Sequence, residues 1–123
     1  MVLTGGGIKR NMQALPSNKW IYNDIDKFIP NLIGAADIVL GKIGYGFVSE
    51  CLANNTPLIY VPRLNWPEEA CVESLLLSYT AGVKMDPGDF HSGNWRKNVT
   101  KALELKVKFF SFPSCPVFHY FNT

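Results

Sequence analysis

The sequence predicts an α/β domain built on a parallel β-sheet. Short apolar runs alternate along the chain with helix-like stretches, and a glycine-rich turn from Gly41 to Gly46 joins one apolar run to the next helix. Strands separated by helices of about 10 residues are typical of βαβ units. Apolar residues make up 47% of the 123 residues and charged residues 18%, which is the balance of one globular domain.

The N-terminal segment, residues 1–18, is the least regular part. Val2-Leu3-Thr4 is predicted as the end of a strand that leads into the turn Gly5-Gly6-Gly7, and a loop follows. The apolar run Lys19 to Tyr22 is predicted as a short strand. Helical spacing of apolar residues predicts a helix over Ile25 to Ala35, in which Pro30 marks either the helix start or a kink.

Beyond residue 36 the alternation is regular. The predicted strands cover Asp37 to Leu40, Leu58 to Val61 and Ala81 to Met85. The predicted helices cover Val48 to Asn54, Pro67 to Tyr79 and Trp95 to Leu105. In such a sheet, ligands bind beyond the carboxyl ends of the strands. The turn from Gly41 to Gly46 and the loop from Pro62 to Pro67 both follow such ends, so we expect them to border one crevice.

Residues 107–123 depart from this pattern. The stretch Phe109 to Phe121 has no formal charge and is dense in aromatic residues and proline, which fits neither a helix nor a regular strand. Three interpretations stay open: a tail packed on the domain, an interface for a partner, and aberrant coding sequence appended to a truncated domain.

Charge and cysteine content exclude several classes of protein. The net charge is only +2 and the basic residues are scattered, so nucleic-acid binding is not predicted. Cys51, Cys71 and Cys115 lack the spacing of a zinc site or a disulfide framework, and Cys51 and Cys71 are expected to be buried free thiols. His91 and His119 are too isolated to form a metal pair, so no metal site is predicted.

Neither a secretory signal nor a membrane span is predicted. No basic segment precedes an apolar stretch at the N-terminus, and no apolar run reaches the roughly 20 residues that span a bilayer. We therefore expect a cytoplasmic protein without a direct membrane span, for which association through a partner stays open.

The glycine-rich turn is the candidate site. Gly44 and Gly46 let the backbone approach a ligand closely, and the first amides of the following helix carry partial positive charge that attracts anions. Ser49 offers a hydroxyl group. The alternative is a tight strand-to-helix turn without a ligand, because the glycines do not match the dinucleotide pattern G-x-G-x-x-G.

Charged residues flank this turn. Glu50, on the predicted first turn of the helix, is placed to accept two hydroxyl hydrogen bonds from a ribose diol. Glu68 and Glu69 point about 100° apart on a helix, so holding sugar hydroxyls suits them better than acting as a catalytic pair. Arg63 and Lys42 border the crevice and offset diphosphate charge. For each of these residues a solvated helix end or surface charge is the alternative.

A family resemblance rests on these same residues. The block from Ala35 to Glu50, followed by Pro57 to Arg63, resembles the C-terminal, donor-binding half of GT-B glycosyltransferases, near the group of the bacterial peptidoglycan N-acetylglucosaminyltransferase. The run Gly41 to Gly46, with Pro67-Glu68-Glu69 and Gly93-Asn94-Trp95, is more similar to the glycosyltransferase-like N-terminal region of plant-type L-arabinokinases. The resemblance covers residues 19–106.

The resemblance implies a Rossmann-like parallel sheet with helices on both faces, and a nucleotide sugar, usually a UDP-sugar, as ligand. It places Gly44, Gly46 and Ser49 at the diphosphate, Glu50 at the ribose, and Glu68 or Glu69 at the donor sugar. It implies no metal and no cofactor, and it leaves the catalytic base unknown.

Two departures from the family pattern accompany the resemblance. Tyr45 and Phe47 stand where many relatives have a glycine and a threonine, which narrows the phosphate loop. The acceptor-binding half of the family fold would precede this region. We therefore expect a donor-binding domain of a hexosyltransferase, incomplete without an acceptor-binding domain or protein subunit. A non-catalytic glycosyltransferase-like interaction module, or a truncated gene product, is the alternative.

Overall fold

The computed structural model describes residues 2–4, 21–23, 29–105 and 107. Its strands are β1 (Val2–Thr4), β2 (Ile21–Asn23), β3 (Val39–Lys42), β4 (Leu58–Val61) and β5 (Gly82–Lys84). Its helices are α1 (Ile29–Ala35), α2 (Tyr45–Ala53), α3 (Glu69–Ser78), α4 (Pro87–Ser92) and α5 (Arg96–Leu103). The predicted turn Gly5-Gly6-Gly7 and nearly all of the predicted tail, 107–123, lie outside the described residues.

Strands β3, β4 and β5 form a parallel three-stranded sheet in that order. Val39 pairs with Leu58, and Leu58 pairs in turn with Gly82, so the three strands start level with one another. β1 and β2 form a separate parallel pair. The predicted α/β class with a parallel sheet is therefore confirmed, and the carboxyl ends of β3 and β4 lie side by side.

The central strand β4 has an apolar core on each of its faces. Leu58 and Tyr60 are fully buried in a cluster with residues of α1, α2 and α3, among them Leu52 and Leu76. Ile59, between them in sequence, is fully buried on the opposite face, in a cluster to which α5 contributes Ala102. Successive side chains of a strand alternate between faces, so a continuously apolar strand requires helices on both sides.

Helices α2 and α3 end in the same way. After α2, the amide of Thr56 donates to the carbonyl of Cys51 at 2.9 Å, and Asn55 takes the left-handed conformation with φ 55°. After α3, the amide of Ala81 donates to the carbonyl of Leu76 at 3.2 Å, and Thr80 has φ 54°. Both ends are Schellman motifs, which satisfy the last carbonyls of a helix and turn the chain into the next strand.

Several predicted boundaries are wrong by two or three residues. β3 runs to Lys42 rather than Leu40, because Gly41 and Lys42 pair with β4. Helix α2 begins at Tyr45 rather than Val48, since the extended Gly44 serves as its N-cap. Of the helix predicted over Ile25 to Ala35, α1 (Ile29–Ala35) confirms the described part, in which Pro30 is the second residue, while residues 25–28 lie outside the described residues.

Helix α4 was not predicted. It begins where the side chain of Asp86 accepts a hydrogen bond from the amide of Gly88 at 2.7 Å, and Pro87 occupies its first position. It ends at Gly93, which has φ 79°. A capping aspartate, a first-turn proline and a terminal glycine are helix signals, but they enclose only six residues.

The two described cysteines differ in burial. Cys51 is fully buried in α2. Its burial, and to a smaller extent the charge of the Glu50 carboxylate, raises the pKa of its thiol to about 12. Cys71 is exposed on α3, so the prediction that it is buried is wrong. Within the described part of the chain, no helix has the length and apolar character needed to cross a bilayer.

Changing Gly82 to alanine is expected to lower the free energy of unfolding by about 1–3 kcal/mol. A Cβ atom there would lie 2.7 Å from Cδ2 of Leu76 and 3.2 Å from Cε1 of Tyr60, and both side chains are fully buried and unable to retreat. Urea unfolding measures the loss. Gly44→Ala is the matched control, because a Cβ at Gly44 meets nothing within 4 Å. Equal stability of the two variants would contradict this packing.

Candidate functional site

The candidate site begins at the turn between β3 and α2. Ile43 is fully buried and anchors this turn, while Gly44 has an extended backbone with φ −166°. Val48 is the first residue of α2 whose amide reaches a carbonyl of its own helix turn, that of Gly44 at 2.9 Å. The three preceding helical amides therefore have no partner within the helix, and they carry the positive end of its dipole.

Neither packing nor backbone conformation requires glycine at positions 44 and 46. A Cβ at either position meets no atom within 4 Å beyond the adjacent residues, and neither glycine has a positive φ. By contrast, a Cβ at Gly41 would lie 2.6 Å from Cε1 of Phe47. Gly41 is therefore a packing glycine, whereas Gly44 and Gly46 leave open space beside the first turn of α2.

The two aromatic residues of the turn have separate roles. Phe47 is half-buried, and its ring lies back against Gly41 at the end of β3. Tyr45 meets Trp66 edge to face, with ring centroids 5.8 Å apart. Because Trp66 lies in the loop after β4, this contact joins the two loops that were expected to border one crevice.

Ser49 and Glu50 lie on the second turn of α2. The prediction that Glu50 occupies the first turn is wrong, because the helix begins three residues earlier than expected and Glu50 is its sixth residue. Stabilisation by the helix dipole fades after the first turn, so it contributes little to this carboxylate. Ser49 and Glu50 follow Gly46 by three and four residues, which places all three on one side of the helix.

The loop after β4 is tied by Glu69. Its Oε2 atom accepts a hydrogen bond from the backbone amide of Arg63 at 2.6 Å, which closes the loop from residue 63 to residue 69. The guanidinium carbon of Arg63 lies 4.6 Å from the centroid of the Trp66 ring, in a cation–π contact. Asn65 takes the left-handed conformation at the tip, with φ 61°.

Glu68 differs from its neighbour. It is exposed at the N-cap position of α3 and makes no capping hydrogen bond with its side chain. Helix α3 therefore starts at Glu69, the residue after this cap, and not at Pro67 as predicted. Desolvation raises the pKa of Tyr45, and the charges of Cys71 and Glu68 raise it further. Glu68 therefore lies close to the first residue of α2.

An open cleft of about 1060 Å³ runs from this loop along α3. It contains Arg63 and Glu69 of the predicted set, whereas the two glycines, Ser49 and Glu50 lie outside its lining. Three further residues were missed by the sequence prediction: Trp66, Glu73 and Lys84. Trp66 is the sole aromatic residue between Pro62 and Pro67, a signal that was available; Glu73 and Lys84 come together only in the folded chain, with an ion pair of 3.3 Å.

No group of three or more histidine, cysteine, aspartate or glutamate side chains in the described part of the chain is close enough to hold a metal ion.

Comparison with known proteins gives one similarity. Over 81 residues, or 66% of this chain, the sequence is 40% identical to L-arabinokinase from Arabidopsis thaliana. The matched part is 8% of the length of that enzyme. No protein-family model matches the chain, and no solved structure matches it significantly. The predicted resemblance to L-arabinokinases is thus confirmed for this part of the sequence, while membership of the GT-B fold stays a prediction.

Changing Glu69 to alanine is expected to lower the free energy of unfolding by about 1 kcal/mol, because the charge-assisted hydrogen bond to the Arg63 amide is lost at an exposed site. Chemical denaturation measures the change. Glu69→Gln keeps an acceptor and should lose less, and Glu68→Ala should stay within about 0.5 kcal/mol of the wild type. An equal loss in the two alanine variants would contradict the loop closure.

Proposed function

We propose that this chain is the donor-binding half of a hexosyltransferase and that it holds a nucleotide sugar, a UDP-sugar in the first instance. The supporting observation is the pair Gly44 and Gly46, which neither packing nor conformation requires, beside helical amides without partners in their helix. A ligand that approaches the main chain closely explains why small residues stand at both positions. The similarity to L-arabinokinase, a protein named for action on a sugar, supports a sugar-related role.

The diphosphate would lie at the start of α2. Amides of the first helical turn donate to phosphate oxygens, and the helix dipole favours the negative charge. Arg63 adds a guanidinium group that Trp66 holds from one side. Lys42 is exposed at the end of β3, and Ser49 follows on the same side of α2 as Gly46. These groups together offset the charge of a diphosphate.

The hydroxyl groups of the ligand would meet carboxylates. Glu50 is half-buried and makes no hydrogen bond or ion pair with another described residue, so both of its oxygens are available to a ribose diol. Glu69 has one oxygen engaged by the Arg63 amide. Glu68, which has none engaged and lies near Tyr45, is the better candidate for the donor sugar.

The chain would act together with an acceptor-binding domain or protein subunit. That partner supplies the acceptor and the catalytic base, while the amides of α2 stabilise the departing diphosphate. Without the partner, the chain binds donor but transfers nothing. The competing function is an interaction module of the same fold that binds no nucleotide. It predicts that UDP causes neither amide shifts nor a binding signal in calorimetry.

A titration with UDP is expected to shift the amide resonances of Gly44 to Glu50. Gly46→Ala should lower UDP affinity by tenfold or more by crowding the phosphate, and it should also stabilise the free protein by about 0.5–1 kcal/mol, because alanine is the better helix residue. Thr100→Ala, on an exposed face of α5, is the control that alters helix propensity alone. No shift at millimolar UDP would overturn the proposal.

Changing Glu50 to alanine is expected to weaken UDP binding by about 1–3 kcal/mol, since a carboxylate that holds two hydroxyls is lost. The loss should be much smaller for 2′-deoxy-UDP, which offers one hydroxyl fewer. Calorimetric titration measures both affinities, with Glu104→Ala at the C-cap of α5 as the control. If Glu50→Ala binds UDP as tightly as the wild type, the ribose role is wrong.

A further inference from the structure

The cleft along α3 contains more than the proposed diphosphate site uses. It extends past Glu69 to Glu73 on the same helix and to Lys84 at the end of β5. Nζ of Lys84 lies 3.3 Å from both carboxylate oxygens of Glu73, and their side chains are 53% and 22% exposed. Both residues can therefore reach a ligand in the cleft.

The charges that line the cleft balance. Arg63 and Lys84 are cations, and Glu69 and Glu73 are anions, so the formal sum is zero. A diphosphate bound in the cleft would be repelled by these two carboxylates, whereas the positive end of α2 would not repel it. Trp66 and Leu77 add apolar surface to the same lining. Apolar surface together with hydrogen-bond acceptors and donors suits a neutral ligand with many hydroxyl groups.

A buried hydroxyl lies close to this cleft. Tyr60 is fully buried in β4, and its hydroxyl group makes no hydrogen bond of acceptable distance and angle with a described residue. Burial, then the charge of Glu73 and a hydrogen-bonding contact with its carboxylate, then the charge of Glu69, hold the pKa of Tyr60 well above its ordinary value. The hydroxyl therefore lies beside Glu73, and a buried hydroxyl without a well-formed hydrogen bond is unfavourable.

We propose that the cleft between α3 and β5 binds the neutral sugar ring of the nucleotide-sugar donor, with Glu73 accepting from ring hydroxyls and Lys84 donating to them. The inference rests on the proposed function and adds Glu73 and Lys84 to Glu68 as residues that meet the donor sugar. Trp66 connects the two parts, because it lines the cleft together with Arg63 and also contacts Tyr45 at the start of α2. When Lys84 turns to the sugar, the second oxygen of Glu73 is free to accept from Tyr60.

The test compares UDP with UDP-glucose, UDP-galactose and UDP-N-acetylglucosamine on the full chain, by calorimetry and by amide shifts. For at least one sugar, affinity should exceed that of UDP, with shifts at Glu73 and Lys84. Glu73→Gln should lower the affinity for that UDP-sugar about tenfold and leave the affinity for UDP unchanged. Glu104→Gln, which changes an exposed carboxylate at the C-cap of α5, should change neither. A gain that persists in Glu73→Gln, or an equal loss for UDP and UDP-sugar, overturns the proposal.

Tyr60→Phe gives a second measurement. It should reduce the gain from the sugar, because the hydroxyl that donates to Glu73 in the bound state is removed. A hydroxyl with a purely structural role would leave that gain unchanged, which would contradict the part assigned to Tyr60.

The two proposals fail separately. If UDP shifts the amides of Gly44 to Glu50 but no sugar reaches the cleft, the proposed function stands and the cleft proposal is wrong. If no UDP compound binds, free glucose, galactose and N-acetylglucosamine at millimolar concentration decide the cleft: shifts at Glu73 and Lys84 support it, and their absence overturns it.

Discussion

The two-sided burial of β4 is the constraint on which the rest of the fold depends. Leu58, Ile59 and Tyr60 are all fully buried, and β4 is hydrogen-bonded to a strand on each side. Burying a large apolar side chain contributes about 1.5–3 kcal/mol to the free energy of unfolding. The burial of these three residues therefore stabilises the packing of helices against both faces of the sheet. The positions of α2 and α3, and with them the start of each helix at the candidate site, follow from this strand.

The candidate site adds a second constraint, which acts between loops. Trp66 contacts Tyr45 at the start of α2 and Arg63 in its own loop, while Glu69 closes that loop onto the Arg63 amide. The chain therefore connects the loop that carries Arg63 and Glu69 to the first residue of α2 through Trp66. Such a site is held by aromatic contacts and one short hydrogen bond.

The sequence was enough to predict most of the sheet. Leu58 to Val61 was placed without error because a continuously apolar run between turn residues has one plausible structure in this setting. The start of α2 was misplaced because Tyr45-Gly46-Phe47 has the poor helix propensity of a turn, and only Gly44 as N-cap and the packing of Phe47 on Gly41 make it helical.

Contacts between distant residues were beyond such prediction. Glu73 and Lys84 are eleven residues apart on different elements, and the hydroxyl of Tyr60 comes beside Glu73 only in the folded chain. Cys71 was expected to be buried because its stretch is apolar, yet it faces outward on a helix whose buried positions are Val72 and Leu76. Periodicity identifies a helix more reliably than it identifies which side of the helix is covered.

The matching Schellman ends of α2 and α3 have a consequence for how this chain can change. They fix the passage from helix to strand at the amino ends of β4 and β5, where the carbonyls of buried Cys51 and Leu76 accept the closing hydrogen bonds. An insertion there would shift a whole strand. At the opposite end of the strands, the described loops after β3 and β4 contain no Schellman motif, and a side chain, Glu69, closes the second of them. Descendants of this scaffold are thus free to acquire new ligand preferences at one end while the other preserves their architecture.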